Sequence, residues 1–317
     1  MTIWQKMQKV DRRILYTILM VLCSAGLFIP VKIPTDPDPS SKDLYKTLMA
    51  VPQDKTLIIQ SDWTNSTRGE SMGHFENLMR FVMTRNLKFV VYSAADPIAP
   101  SVARTVITRI NAERKDANLP VYRKGADYLE LGYFPNAEAT NQNMATNLRS
   151  AWAGRKTKIE GQTGEFSIWE TDVLRDVKKI EDAGGMVVVT ASASIDIAIQ
   201  RLSKKVPISA MVTGVVGPTV LPFYQAGQVK GIAVGLKGVY DMEYLAEYGI
   251  NHSVDGAEPE VTSKAISETI PPLGSHKTWA RGQKYYGTLH IALVLLILAV
   301  ILGNVAMFMS KKQEARS

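Results

Sequence analysis

The 317-residue sequence predicts an α/β domain with a Rossmann-like or flavodoxin-like parallel sheet, flanked by two transmembrane helices. Two observations predict this arrangement. Apolar runs without a charged side chain lie near both ends of the chain, at residues 14–30 and 287–309. Between them, short apolar segments alternate with amphipathic ones, which is typical of a parallel sheet covered by helices on both faces.

The apolar run at residues 287–309 is long enough to cross a bilayer, because about 20 apolar residues in a helix span ~30 Å of hydrocarbon. The run at residues 14–30 is barely long enough. Four basic residues precede this first run: Lys6, Lys9, Arg12 and Arg13. The positive-inside rule therefore predicts cytoplasmic tails at residues 1–13 and 310–317, with the main domain on the extracytoplasmic side of the cytoplasmic membrane.

The alternative for the first run is a cleaved signal peptide. Its small residues, Ser24 to Gly26, lie inside the run, and Leu27 to Ile29 still follow them. A lipoprotein signal at Cys23 is disfavoured because Leu22 is too large for the preceding position. We therefore expect an uncleaved anchor.

Proline content separates the linkers from the domain. Residues 31–43 contain three prolines, with Pro30 directly before them, and predict a semi-rigid spacer. Residues 44–250 form the predicted α/β domain, and residues 251–286 an irregular return segment. Cys23 is the only cysteine, so the domain has no disulfide. The net charge of +7 includes the basic tails and does not indicate a nucleic-acid partner.

The domain alternates between the two kinds of element along its length. The predicted strands are residues 56–60, 88–92, 128–133, 186–190, 208–213 and 231–236. The predicted helices are residues 70–85, 100–113, 141–152, 170–183, 195–203, 220–226 and 240–248. Each strand is followed by at least one helix, which is the pattern of βαβ units.

Ligands of such sheets bind beyond the carboxyl ends of the strands. The candidate ligand-binding residues at these positions are Asp62, Ser93, Asp96, Ser192, Ser194, Thr213 and Gly214. The same residue types build helix N-caps and strand-to-helix turns. We favour this structural role for most of them.

The residues Gly69 to Gly73 match G-x-S-x-G, the nucleophile-elbow pattern. That mechanism requires Ser71 on a turn directly after a strand, whereas eight residues separate the predicted strand from Gly69–Gly73. His74 is adjacent in sequence and poorly placed to act as its base. We expect Ser71 in the first turn of a helix, and we predict no catalytic residue. The scattered histidines and the lack of a phosphate-binding loop predict no metal and no cofactor.

Four glycines, Gly227, Gly231, Gly235 and Gly238, lie within twelve residues. On a helix the first three would form one bare ridge, and on a strand they would mark close backbone approach. We favour a strand at residues 231–236, because Ile232 and Val234 are β-formers. In either case the glycines predict tight packing, within the chain or at an oligomer interface.

Two stretches carry a family resemblance. Residues 125–135 resemble a G-x-D-Y-x-x-L-G-Y-x-P pattern, and residues 226–243 resemble S-G-Q-x-x-G-L-x-x-G-L-x-G-A-A-E-Y-E. Both patterns belong to an uncharacterised family of bacterial membrane-anchored proteins with an extracytoplasmic α/β domain. The chain departs from them at Ala226, in place of serine, and at residues 239–242. The resemblance implies the architecture and assigns no activity.

The sequence therefore predicts a non-enzymatic, membrane-anchored subunit of an envelope complex, which scaffolds partners or binds a ligand. Its expected partners are the lipid bilayer, other membrane proteins and further copies of itself. Two alternatives remain open. One is an accessory component of an ABC-type transporter, and the other is a membrane-bound serine hydrolase that uses Ser71.

Overall fold

A computed structural model describes residues 11–28, 33, 35–250 and 281–314. The chain forms two compact units. One unit comprises residues 1–34 and 280–317, and the other comprises residues 35–279.

The larger unit contains a six-stranded parallel sheet. Its strands are β1 (Thr56–Asp62), β2 (Lys88–Ser93), β3 (Tyr128–Tyr133), β4 (Gly185–Thr190), β5 (Ile208–Val212) and β6 (Val229–Val234). Their order across the sheet is β3-β2-β1-β4-β5-β6. This is the 3-2-1-4-5-6 order of a Rossmann-like doubly wound sheet, and it differs from the flavodoxin-like 2-1-3-4-5 order. A separate two-residue ladder pairs Lys156–Thr157 with Phe166–Ser167.

Helices cover both faces of this sheet. In chain order the described helices are α1 (Arg12–Phe28), α2 (Pro39–Ala50), α3 (Arg68–Thr84), α4 (Ala99–Asp116), α5 (Ala137–Thr146), α6 (Leu148–Ala151), α7 (Ile195–Leu202), α8 (Gly217–Gln225), α9 (Gly235–Tyr248) and α10 (Arg281–Glu314). Helices α2, α3, α4 and α9 contribute to one apolar core, and α5 to α8 to the other. The predicted α/β class with a helix-flanked parallel sheet is confirmed.

Strand β1 shows why the sheet has two cores. All seven of its residues are buried. Leu57 and Ile59 belong to the core beneath α3, whereas Ile58 between them belongs to the opposite core. Successive side chains of a strand point to opposite faces, so a strand covered on both sides is apolar throughout.

The predicted helix at residues 170–183 is wrong. This stretch is irregular and is bounded by 3-10 helices at Ile168–Glu170 and Ile180–Asp182. The Asp182 carboxylate accepts hydrogen bonds from the backbone N–H groups of Lys178 and Lys179, each at 3.0 Å. Side chains that bond nearby backbone groups in this way compete with helix formation.

Two further helix predictions need correction. The predicted helix at residues 141–152 is two helices, α5 and α6, because Asn147 leaves the helical conformation and caps α6. The Asn147 side-chain oxygen accepts from Ser150 N at 3.0 Å. Strand β6 spans Val229–Val234, so the strand predicted at residues 231–236 begins and ends two residues too late. Helix α9 begins at Gly235, five residues before the predicted start at residue 240.

The predicted linker at residues 31–43 extends too far, since α2 already begins at Pro39. Residues before α2 are also attached to the domain. The Lys237 ammonium donates to the Asp36 carbonyl oxygen at 2.9 Å. The Asp38 N–H donates to the buried Asp241 carboxylate at 3.0 Å. Burial raises the pKa of Asp241, while the neighbouring Lys237 opposes this shift.

The smaller unit contains α1 and α10. The segment Arg281–Lys312 of α10 is long and apolar enough to cross a membrane. The apolar part of α1, Arg13–Phe28, is shorter. The helices pack together at Gly26, where an added Cβ would lie 2.9 Å from Thr288 Oγ1.

These bounds qualify three sequence predictions. Helix α10 begins six residues before the predicted start at residue 287, inside the predicted return segment at 251–286. The rest of that segment, residues 251–280, and the first ten residues of the basic tail lie outside the described residues. Among the described residues, one helix is long and apolar enough for a membrane span, and a second span at α1 stays a prediction.

Candidate functional site

Ligands of parallel α/β sheets bind at the carboxyl edge of the sheet, beyond the strand ends. In the order β3-β2-β1-β4-β5-β6, the chain moves outward from β1 in one direction and then returns to β4 beside β1. Connections on the two sides of this switch point cover opposite faces, which leaves a crevice beyond the ends of β1 and β4. Asp62 ends β1 and Thr190 ends β4, and the two residues are paired in register.

Asp62 is 4% exposed and organises the turn that follows β2. Its Oδ1 accepts hydrogen bonds from Ser93 Oγ at 2.7 Å, from Ala94 N at 2.8 Å and from Ala95 N at 3.2 Å. Its Oδ2 accepts from the Gln60 side-chain amide. The carboxylate accepts four hydrogen bonds, three of them from the β2–α4 turn. Its main structural role is therefore to fix the conformation of this turn.

Tyr92 extends this network beneath the edge. Its hydroxyl donates to Gln60 Oε1 at 3.0 Å. Burial raises the pKa of Tyr92 well above its ordinary value, and the Asp62 charge adds to the shift. Tyr92 therefore remains a protonated donor, and its bond fixes the orientation of the Gln60 amide towards Asp62.

The candidates Ser93 and Asp96 also build the turn. Ser93 Oγ lies 3.0 Å from the Asp96 carbonyl oxygen as well as bonding Asp62. The Asp96 carboxylate accepts from Ile98 N at 2.7 Å, just before α4 begins. Three of the predicted ligand-binding residues thus lie together, and their side-chain oxygens are engaged in local hydrogen bonds.

The turn after β4 has unused hydrogen-bonding capacity. Thr190 Oγ1 donates to the Asp62 carbonyl oxygen at 3.2 Å and accepts from Ser192 N at 2.9 Å. Ser192 Oγ accepts from Ser194 N at 3.2 Å. Two shielded oxygens, Ser194 Oγ and Asp196 Oδ1, have no hydrogen-bond partner among the described residues. Burial raises the pKa of Asp196.

The ends of β5 and β6 meet the first turn of α3. Thr213 N donates to the Thr190 carbonyl oxygen at 3.3 Å, which joins this part of the edge to the β4 turn. Gly214 N donates to Glu70 Oε2 at 2.7 Å. A Cβ on Gly235 would lie 3.3 Å from Gly214 Cα, and Gly235 has φ +58°, so a side chain is disfavoured there on both grounds.

Ser71 and His74 lie below this contact, inside α3. Ser71 is the fourth residue of the helix and 1% exposed, so it is not on a strand-to-helix elbow and a substrate carbonyl has no path to it. His74 is fully buried, and burial lowers its pKa to about 4. The backbone of Val212 and Gly235 lies near enough to oppose this shift. Neither ring nitrogen, however, reaches hydrogen-bond geometry with a described residue.

The four clustered glycines occupy three different settings. Gly227 is in a turn with φ +73°, Gly231 is in β6, and Gly235 and Gly238 are in α9. A Cβ on Gly231 would overlap the backbone of Leu44 in α2. A Cβ on Gly238 would lie 2.6 Å from the carbonyl carbon of Ala233. These close approaches are within the chain, and self-association through the glycines stays a prediction.

The residues predicted from the sequence lie at the carboxyl ends of neighbouring strands, but the prediction missed several residues that contact them. Gln60 and Thr190 link the predicted residues to one another, and Glu70 and His74 bring α3 to the edge. Gln60 had a signal, because it is a polar residue inside an otherwise apolar strand. Glu70 had none, since its partner Gly214 is 144 residues away in sequence.

Within the described ranges, no group of three or more His, Cys, Asp or Glu side chains could hold a metal ion. The described residues at this edge therefore present serine, threonine and aspartate oxygens, several of which are bonded within the turns they build. Comparison of the chain with family models, with curated proteins and with solved structures finds no match.

Proposed function

We propose that the chain is a non-enzymatic, membrane-anchored subunit of an envelope assembly, whose α/β domain binds a small polar ligand outside the cytoplasmic membrane. The observation that carries the anchoring is helix α10, whose segment Arg281–Lys312 is long and apolar enough to span. Lys311 and Lys312 at its end, with the basic residues before α1, support cytoplasmic ends.

The contact between α1 and α10 supports a second anchor. Gly26 lies near the end of α1, and Thr288 lies near the start of α10. A glycine allows two helices to approach closely, which is a common way for membrane helices to pack. A hairpin that joins these two ends would place both termini on one side of the bilayer.

The turn after β4 supports ligand binding. Ser194 Oγ and Asp196 Oδ1 are shielded but unbonded, and they lie beside the switch point of the sheet. A buried acceptor without a donor is unfavourable by about 1–3 kcal/mol, which a ligand that donates a hydrogen bond would relieve. Hydroxyl and amine groups fit this requirement. The burial of Ser71 argues against the hydrolase alternative.

Membrane extraction and reporter fusions test the anchoring. The full chain should stay with membranes after alkaline carbonate treatment. A periplasmic phosphatase inserted at Gly161, an exposed turn with open space around it, should be active, and a fluorescent protein that folds only in the cytoplasm should be dark. The opposite reporter pattern would contradict the orientation, and extraction by carbonate would contradict the anchor.

A thermal-shift screen of the detergent-solubilised chain against sugars, amino acids and polyamines tests the ligand site. A compound that raises the melting temperature of the wild type should lose its effect on Asp196→Asn. It should keep its effect on Asp176→Asn, a matched change at an exposed position. If a stabilising compound acts equally on both variants, the crevice after β4 is not its site.

A further inference from the structure

Helix α10 carries a polar side chain, that of Asn304, for which the described residues provide no hydrogen-bond partner. Between Leu289 and Met309, the strongly polar side chains are those of His290 and Asn304. His290 Nδ1 lies 2.9 Å from the Tyr286 carbonyl oxygen. Asn304 is exposed, and its side chain makes no hydrogen bond with any described residue.

The position of Asn304 along the helix makes this costly in a bilayer. The stretch from Leu289 to Met309 has its centre at Ala299, and Asn304 lies five residues beyond it. At 1.5 Å per residue this is about 7.5 Å from the midplane, well inside a hydrocarbon half-thickness of ~15 Å. An unbonded carboxamide is strongly disfavoured there. This step rests on the proposed function, in which α10 spans the membrane.

Asn304 also faces away from α1. At 100° per residue, Ile297, Val300 and Phe308 lie within about 40° of Asn304, and all three are exposed. Thr288, which contacts Gly26 of α1, lies about 160° around the helix from Asn304. The intramolecular helix contact therefore leaves the Asn304 face of α10 unoccupied.

We propose that this face of α10 pairs with the same face of α10 in a second copy of the chain, through a hydrogen bond between the two Asn304 carboxamides. Copies inserted with one orientation carry Asn304 at the same depth. A carboxamide has both donors and an acceptor, so two identical side chains related by a two-fold axis satisfy each other. The exposed apolar residues around it supply the rest of a self-complementary surface.

Three variants separate this role from the apolar packing around it. Asn304→Leu removes the hydrogen bond and makes the helix more apolar, so anchoring is retained while dimer dissociation becomes easier by about 3- to 30-fold. Asn304→Gln keeps the carboxamide and should retain the dimer. Val305→Leu is the matched control, since it changes the adjacent position without removing a polar group.

The test is disulfide cross-linking of the full chain in native membranes. Cys23, the only native cysteine, is first replaced by serine. Single cysteines are then placed at Val300, on the proposed face, and at Leu302, which is exposed on the opposite side at a similar depth. Mild oxidation should yield a dimer from Val300→Cys and little from Leu302→Cys. Adding Asn304→Leu should markedly reduce the yield of the Val300→Cys dimer, and adding Asn304→Gln should not.

Three results would overturn the proposal. These are equal cross-linking at the two positions, an unchanged dimer in Asn304→Leu, and cross-links to other proteins with none between copies. Failure of the anchoring itself gives a different result, because carbonate would then release the wild-type chain and every variant alike. A chain that resists carbonate but fails to cross-link through Val300→Cys refutes the pairing and leaves the anchor intact.

Discussion

Protonation of His74 should make the stability of the α/β domain depend on pH. The imidazole is fully buried between α3 and the ends of β5 and β6, and burial lowers its pKa from 6.5 to about 4. Between these two values the unfolded chain binds a proton and the folded chain does not. Stability therefore rises with pH across this window, and it is lost as the pH falls from 6.5 towards 4.

The size of this effect follows from the shift. One pKa unit corresponds to 1.36 kcal/mol, so the full effect is about 3 kcal/mol. Integration of the proton-binding difference places about 2 kcal/mol of it between pH 7 and pH 5, above the range where most carboxylates titrate. For a domain of this size, such a change lowers the melting temperature by roughly 4–8 °C.

The assay is denaturant unfolding of the detergent-solubilised chain at pH 7, 6 and 5, followed by tryptophan fluorescence. His74→Gln should be less stable than the wild type at pH 7 and should lose the dependence on pH between 7 and 5. His290→Gln, a matched change in α10, should keep the wild-type dependence. If His74→Gln retains the full slope, another group is responsible and the inferred environment of His74 is incorrect.

Three further variants test separate contacts. Gly231→Ala should destabilise the domain by about 1–3 kcal/mol because its Cβ overlaps the backbone of α2, whereas Gly69→Ala, with nothing within 4 Å, should be neutral in the same unfolding assay. Asp62→Ala should cost about 3 kcal/mol or more, since four donors, three of them buried, lose their acceptor, and it should increase proteolysis of the β2–α4 turn. Ser71→Ala should leave phenotype and stability unchanged, and the wild type should not react with a fluorophosphonate; labelling that Ser71→Ala abolishes would restore the hydrolase reading.

Local patterns predicted the strands well because the sheet is buried on both faces. Strand β3 has the predicted bounds, and β2 is one residue longer than predicted. The helix predicted at residues 170–183 failed because Asp182 bonds backbone groups that a helix would use. The strand order is not a local property, since it depends on pairing between segments far apart in sequence.

The candidate site was predictable only in part, because it too depends on contacts between segments far apart in the sequence. Strands β1 and β2 are neighbours in both the Rossmann-like and the flavodoxin-like strand order. Asp62 and Ser93, at their carboxyl ends, could therefore be expected to meet. The sequence could not show that Asp62 would be fully occupied by the turn it builds. The unused hydrogen-bonding capacity of the Asp196 carboxylate depends on its burial in the folded chain, which periodicity does not reveal.

The attachment of residues 36–38 to α9 has a practical consequence for how the domain can be isolated. The bonds from Lys237 and Asp241 join the segment before the first helix of the sheet domain to its last described helix, so both ends of the fold are closed against each other. A fragment that starts at residue 44 would lose the first turn of α2, including Asp43, whose backbone packs with that of Leu44 against β6 at Gly231. Such a fragment would expose apolar core residues that α2 covers and would tend to aggregate, whereas one that begins before Asp36 keeps these contacts.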